Sequence, residues 1–231
     1  KVYYVFVDTI NSVQLLAKKL HSKISDDIIL FTAAEQTQGI GRENRQWLSN
    51  RGGLYLTAVL KNKVILNPAP LFISTALSCF LQERFGIQTN IKWPNDLLYN
   101  NKKICGILVD LISYQEQNIY FIGIGINYNN CLPKKIDDNE AISISEILRK
   151  NIDFEICSEA RKIAEYIINY QEINWLDIYK KKNCLLNKKV SILLHNNEIL
   201  CGYATDINNS GALIIDNKIE IISAKKIISH Y

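Results

Sequence analysis

The chain has 231 residues, 48% of them apolar, with 27 basic against 23 acidic side chains and a formal net charge of +4. A chain of this length and composition can bury a core without disulfide staples. The mild positive balance suits one anion-binding site and lacks the dense basic patch of a DNA-binding protein, and no apolar run approaches the roughly 18 residues of a membrane helix.

Lys1 leads directly into VYYVFV, so no secretory leader is expected, and the lack of an initiating Met suggests a start inside a longer reading frame. Val2 to Val7 reads as a buried strand, with Asp8 and Thr9 offering an N-cap to a helix that carries Val13, Leu16, Ala17 and Leu20 on one face. Ile28 to Thr32 reads as a second strand, 34–50 as a polar loop, and Leu54 to Leu60 as a third strand. Pro68 and Pro70 introduce a long helix with Ile73, Leu77, Phe80, Leu81 and Phe85 inward, ending at Gly86. Ile91 to Trp93 and Leu97 to Tyr99 are short strand pieces. The Asn100-Asn101 turn then joins the second of them to a buried strand, Ile104 to Ile112. Ile119 to Ile126 is a strand interrupted by Gly123 and Gly125. Helices are expected over 143–150, 153–170 and 173–182. After Lys188 the pattern changes to five short strands separated by Asn-rich turns, which suggests a small barrel with a boundary near Leu185.

Three segments carry candidate chemistry. Gly39-Ile40-Gly41-Arg42-Glu43-Asn44-Arg45-Gln46-Trp47 combines glycines that admit a close ligand with fixed positive charge suited to phosphate or carboxylate. It is neither a P-loop nor a dinucleotide fingerprint, and on its own it could equally be a surface turn. Lys92-Trp93-Pro94-Asn95-Asp96 gathers four polar or aromatic groups around a stiff turn, and the following hairpin returns Lys103 toward them with Gly106 beside it. A packed turn and a solvated hairpin end are the plain alternatives. Gly123-Ile124-Gly125-Ile126-Asn127 places glycines inside a strand, which marks close approach of a ligand or of another backbone. The six cysteines form no CxxC pair and are expected to be reduced, mostly buried thiols of a cytoplasmic protein.

In this order and spacing the three segments resemble the biotin–protein ligase family, whose patterns are a GRGRRGRxW-type loop, a KWPNDL…KxGGILVE-type hairpin and a GIGINxN strand end. Asp8-Thr9-Ile10-Asn11 is also similar to the family's DSTN segment, and the likeness runs from about Val5 to Asn129. The resemblance implies an α+β fold: a mixed sheet flanked by helices, like the class II aminoacyl-tRNA synthetase and biotin ligase catalytic domains, over residues 1–184. A small SH3-like β-barrel is expected over 185–231.

It also implies ATP-dependent conversion of biotin to biotinyl-5′-AMP, then transfer to a lysine of the biotin carboxyl carrier protein of an acyl-CoA carboxylase. The cofactors would be ATP, biotin as substrate, and Mg²⁺ carried on the ATP phosphates rather than by the protein alone. By the same resemblance Arg42, Lys103, Lys92 and Asp96 are the catalytic group. Arg42 and Lys103 would meet the biotin carboxylate and α-phosphate, Lys92 the departing pyrophosphate, and Asp96 the proton of the carrier lysine. Thr9, Asn11, Gln36, Gly39, Ile40, Gly41, Arg42, Trp47, Asn95, Lys103, Gly106, Gly125 and Asn127 would bind biotin or adenylate, with Trp47 over the adenine.

The chain departs from the family pattern at Ile10, Ile40, Glu43, Asn44 and Cys105. No helix-turn-helix fits before Val2, so DNA binding is not expected, nor is a membrane partner; a homodimer is suggested by analogy. A lipoate or octanoate ligase of the same superfamily and a non-catalytic biotin or nucleotide sensor are the competing readings.

Overall fold

The computed structural model describes residues 1–61, 65, 67–114, 117–132, 140–170 and 172–230, with backbone alone at 114 and 117. An eight-stranded mixed sheet organises the larger part. Its strands are β1 (Val2–Ile10), β2 (Ile28–Ile40), β3 (Gln46–Ser49), β4 (Leu54–Lys61), β5 (Asn90–Lys92), β6 (Asp96–Tyr99), β7 (Lys102–Tyr114) and β8 (Gln117–Ile126). The strand path is β1-β2-β4-β8-β7-β6-β5, with β3 hung from β2. Among the described strand pairs of this sheet, β1 and β2 run parallel and the others antiparallel.

Alternation along the strands divides the core between the two faces of the sheet. Leu30, Leu56, Ala58, Leu60, Ile122, Ile124 and Ile126 face a large cluster that includes helix α2 (Ala69–Phe85). The same cluster takes in helices α4 (Ile156–Asn169) and α5 (Trp175–Lys182). Helix α2 is buried on most sides because it lies between the sheet and these helices, which is why its apolar residues follow no single stripe. Ile29, Phe31, Val59 and Phe121 face the other way, toward Val13 and Ala17 of helix α1 (Val13–Leu20). Gly123 and Gly125 share that second face, and the candidate site lies there. Helix α3 (Ile144–Leu148) is a short piece opened by a Ser143–Glu146 capping box.

Two expectations fail at the β1–β2 edge. Asp8 and Thr9 do not cap α1; the strand continues through them because Thr9 and Ile10 pair with Glu35 and Gln36, and Ser12 is the cap. Residues 34–50 are not one loop: β2 runs on to Ile40 and pairs with β3. Their polar side chains show no period because backbone pairing, rather than a buried face, holds these ends. The helices expected over 153–170 and 173–182 are present but start later, at Ile156 and Trp175.

The C-terminal strands β9 (Lys188–Leu193), β10 (Ile199–Ile207), β11 (Leu213–Ile215), β12 (Ile219–Ile221) and β13 (Lys226–His230) form one antiparallel sheet in the order β12-β11-β10-β9-β13. It is pinned to the larger part by Trp93, whose Nε1 donates to the Gly211 carbonyl at 2.9 Å. Gly211 sits at φ +84 in a turn whose missing Cβ would lie 2.5 Å from Pro68. All six cysteines are free, but only Cys105 is buried, while Cys131 and Cys201 are exposed. Among the described residues no helix is long and apolar enough to cross a membrane.

Trp93 is 4% exposed and joins both sheets. Trp93→Ala should therefore cost about 3–5 kcal/mol. Trp93→Phe keeps part of the buried ring but removes the donor and leaves the buried Gly211 carbonyl unpaired, so it should cost less than Trp93→Ala though still at least about 1–3 kcal/mol. Urea unfolding followed by circular dichroism checks both values and their order.

Candidate active site

Gly106 of β7 and Gly125 of β8 are direct cross-strand partners. Asp96 pairs with Gly106 on one side, and Tyr55 pairs with Gly125 on the other. The four residues form a row across four strands and so share a face of the sheet. The row has no Cβ at its centre, and the indole of Trp47 occupies that space. A Cβ on Gly125 would stand 2.4 Å from Trp47 Nε1, and one on Gly106 2.9 Å from its ring. Trp47 reaches this position because β3 pairs with the end of β2. Gly39 permits the pairing, since a Cβ there would strike the Trp47 carbonyl at 2.4 Å.

Lys103 lies over the indole, its Nζ 5.0 Å from the ring centroid, and makes an ion pair with Asp96 Oδ1 at 2.7 Å. A bulge at the Leu97/Leu98 step pairs Lys103 with Leu98 rather than Tyr99, which puts Lys103 on the face of the sheet that carries Asp96 and Gly106. Asn127, 2% exposed, donates to the Lys103 and Ile142 carbonyls at 3.2 and 3.4 Å and fixes the backbone under the lysine. Asn95 does the same for Arg42. Its Nδ2 donates to the Ile107 carbonyl, and its Oδ1 accepts from Arg42 Nη1 at 3.4 Å. Burial lowers the Arg42 pKa from its ordinary value, with Asp96 and Glu43 opposing the shift. Burial likewise lowers the Lys92 amine, again opposed by Asp96.

A single cavity unites most of these groups. Gln36, Ile40, Gly41, Arg42, Trp47, Asn95, Asp96, Lys103, Gly106, Gly125 and Asn127 all line it. Four expected residues do not. Gly39 lies behind the wall as a packing residue. Lys92 pairs across the β5–β6 turn with Asp96 but stays out of the lining. Thr9 and Asn11 are exposed, and Thr9 is engaged with Asp8 and Arg51 at the sheet edge.

The wall beside α1 is instead made by Ser12, Val13 and Gln14, which the sequence reading missed. The signal was available: the helix begins at Val13, so the residues at its first turn, not those on the strand before it, face the sheet. Gln36 Oε1 accepts from Val13 N at 2.8 Å and its Nε2 donates to Ser49 Oγ at 2.8 Å, tying this wall to β3. Gln14 closes the far end over Gly123, held by Asp110, the Phe121 carbonyl and Thr57. Ala224 and Lys225, just before β13, also line it.

The cleft thus offers an indole seated on a floor of glycines, with two partly buried cations and a carboxylate beside it. That chemistry fits an elongated ligand with an apolar body and an anionic end. The profile of the Biotin/lipoate A/B protein ligase family matches residues 6–129, more than half of the chain, and the protein belongs to that family.

The chain is 35% identical over 159 residues to the "Bifunctional ligase/repressor BirA" of Bacillus subtilis, covering 65% of this chain and 49% of that one. It therefore spans about half the length of that relative. It is 24% identical over 235 residues to the "Biotin--[acetyl-CoA-carboxylase] ligase" of Mycobacterium tuberculosis, covering 93% of this chain and 83% of the relative. Among solved structures, the biotin protein ligase from Aquifex aeolicus in complex with biotin and ATP superposes with a TM-score of 0.77 at 26% identity, covering 99% of each chain.

Gly125→Ala should push the indole off its floor and destabilise the chain by about 1–3 kcal/mol, as overpacking does. Tryptophan emission should shift to longer wavelength; an unchanged spectrum would mean that the ring does not rest on Gly125.

Proposed function

We propose that this protein activates biotin with ATP to biotinyl-5′-AMP and passes the biotinyl group to a lysine of a biotin carboxyl carrier protein. The observation that carries the reading is the position of Lys103, set between Asp96 and the indole that covers the Gly106–Gly125 floor. The M. tuberculosis relative is named as a biotin–[acetyl-CoA-carboxylase] ligase, and the A. aeolicus structure holds biotin and ATP.

In the first step the biotin carboxylate attacks the α-phosphorus of ATP, a carboxylate–phosphorus bond forms, and pyrophosphate leaves. No base is needed, because the nucleophile is already ionised. The site must bring two anions together and keep them aligned. In this reading Trp47, whose indole rests on the glycine floor, packs against the apolar part of biotin rather than against the adenine expected from the sequence. Arg42 and Lys103 meet the carboxylate and α-phosphate. Lys92, outside the cavity wall, would act on the pyrophosphate only through the local field. Mg²⁺ would arrive on the ATP phosphates, whose charge it offsets.

The Lys103–Asp96 contact gives the second step its order. The two neutralise each other at 2.7 Å. An adenylate that draws Lys103 toward its phosphate frees the Asp96 carboxylate. A carrier lysine, ordinarily protonated with a pKa near 10.4, then finds an acceptor for its proton, attacks the acyl carbon, and AMP leaves.

The reading extends to a carrier belonging to an acyl-CoA carboxylase, to a cytoplasmic location, and to the division into a catalytic unit over 1–184 and a smaller one over 185–231. A homodimer through the large sheet draws support from β1, which ends the strand path and carries exposed Tyr3 and Phe6.

Mixing the protein with ATP, Mg²⁺ and either biotin or lipoate, and following pyrophosphate, tests the assignment. Release with biotin is expected. Release with lipoate alone would make the protein a lipoate ligase, and binding of biotin without release a sensor. Lys103→Ala should lower the adenylation rate about 10²–10³-fold, the loss typical of one preorganised charge at a reacting centre, with the far-UV spectrum unchanged.

A further inference from the structure

After Arg42 the backbone turns through two successive non-glycine residues in the left-handed region, Glu43 at φ 55 and Asn44 at φ 54. Such residues stay in that region only where the surroundings over-determine it. Inside the turn two backbone hydrogen bonds do part of this, Gly41 N to Arg45 O at 2.8 Å and Arg45 N to Arg42 O at 3.1 Å.

The remaining restraint comes from the C-terminal sheet. The Arg45 guanidinium donates to the Lys225 carbonyl. Glu43 Oε2 stands 3.6 Å from His195 Nδ1, and His195 Nε2 is 3.0 Å from Ser223 Oγ. His195 follows β9 and Lys225 precedes β13, so the loop is held by two segments that pair in one sheet. On its other limb the same loop presents Arg42 to Asn95.

We propose that Glu43, Arg45 and His195 are positioning residues for the adenylation reaction. Through the Glu43–His195 and Arg45–Lys225 contacts, the C-terminal sheet clamps the Gly-Arg loop and so holds Arg42 at the place where the phosphate chain binds. The inference rests on the reading given under Proposed function. A loop ordered in advance spares the bound anion the entropy of ordering it. Loosening the clamp therefore weakens ATP binding more than it slows chemistry. The Glu43–His195 contact is half exposed, so its effect is modest.

The test uses the full chain with Glu43→Ala, His195→Ala and the double variant; both side chains are on the surface. The KM for ATP should rise about two- to fivefold in each single variant, the range an exposed pair can supply. The kcat should stay within about twofold, since neither residue touches the reacting atoms. The double variant should be no worse than the singles, because the same contact is lost in all three. Tryptic cleavage after Arg42 and Arg45 in the ligand-free protein should accelerate in step.

Unchanged KM and cleavage in both single variants would overturn the clamp, as would effects that multiply in the double variant. If the unaltered protein releases no pyrophosphate with biotin, the adenylation reading fails by itself. The cleavage rates then decide whether the clamp exists, and equal rates overturn it.

Discussion

The site depends on one close approach, the indole of Trp47 lying on two glycines that face each other across β7 and β8. Any side chain at either position would lift the ring. Because the ring lies there, β3 must hang from the end of β2, and that pairing requires a third glycine, Gly39, against the Trp47 carbonyl. Lys103 then finds an aromatic face beneath its ammonium group and a carboxylate beside it. Steric allowance on the sheet thus determines where the charge sits.

The Lys103–Asp96 pair should not be read as a stabilising feature. Both side chains are about one-quarter exposed, so solvent screens their attraction and the net contribution to folding is small. Its importance is that each partner keeps the other from a stronger commitment. Arg42 is different: burial works against its charge, and the Asn95 amide and the Asp96 field offset that cost. The site therefore holds one partly exposed cation paired with a carboxylate and one more deeply set cation supported by Asn95 and Asp96.

How far this was legible follows from what each segment buries. β4, β7, β8 and α2 face a core on one or both sides, so apolar runs marked them without help from the structure. The ends of β1 and β2 were not legible as strands, because Thr9, Glu35 and Gln36 are paired through backbone and carry no buried period. The shift of the cavity wall from Thr9 and Asn11 to Ser12, Val13 and Gln14 follows from the same cause: once the strand was ended too early, the helix cap was placed too early as well. Glycine was the most informative residue type, since Gly106, Gly123 and Gly125 each stand where a Cβ would collide with a cavity-lining side chain. The contact of Arg45 with Lys225 spans 180 positions, and no local pattern reports on such a pairing.

The C-terminal sheet touches both halves of the site, and this gives it a role that neither motif has alone. The Lys92–Asp96 turn is fastened to it by Trp93 through the Gly211 carbonyl. The Gly-Arg loop is fastened to it by Arg45 and Glu43. A third tie, Lys180 to Asp206 at 2.8 Å, joins helix α5 to strand β10. Arg42 and Asp96 belong to segments more than fifty residues apart in the sequence, yet each is referenced to the same antiparallel sheet. The proposed reaction, which aligns two anions, would need such a common base, because a small independent drift of either segment would separate the cation from the carboxylate beside it. Burial of Leu213, Ile215 and Ile221 in the same apolar cluster as helix α2 makes that base continuous with the core rather than an appendage to it.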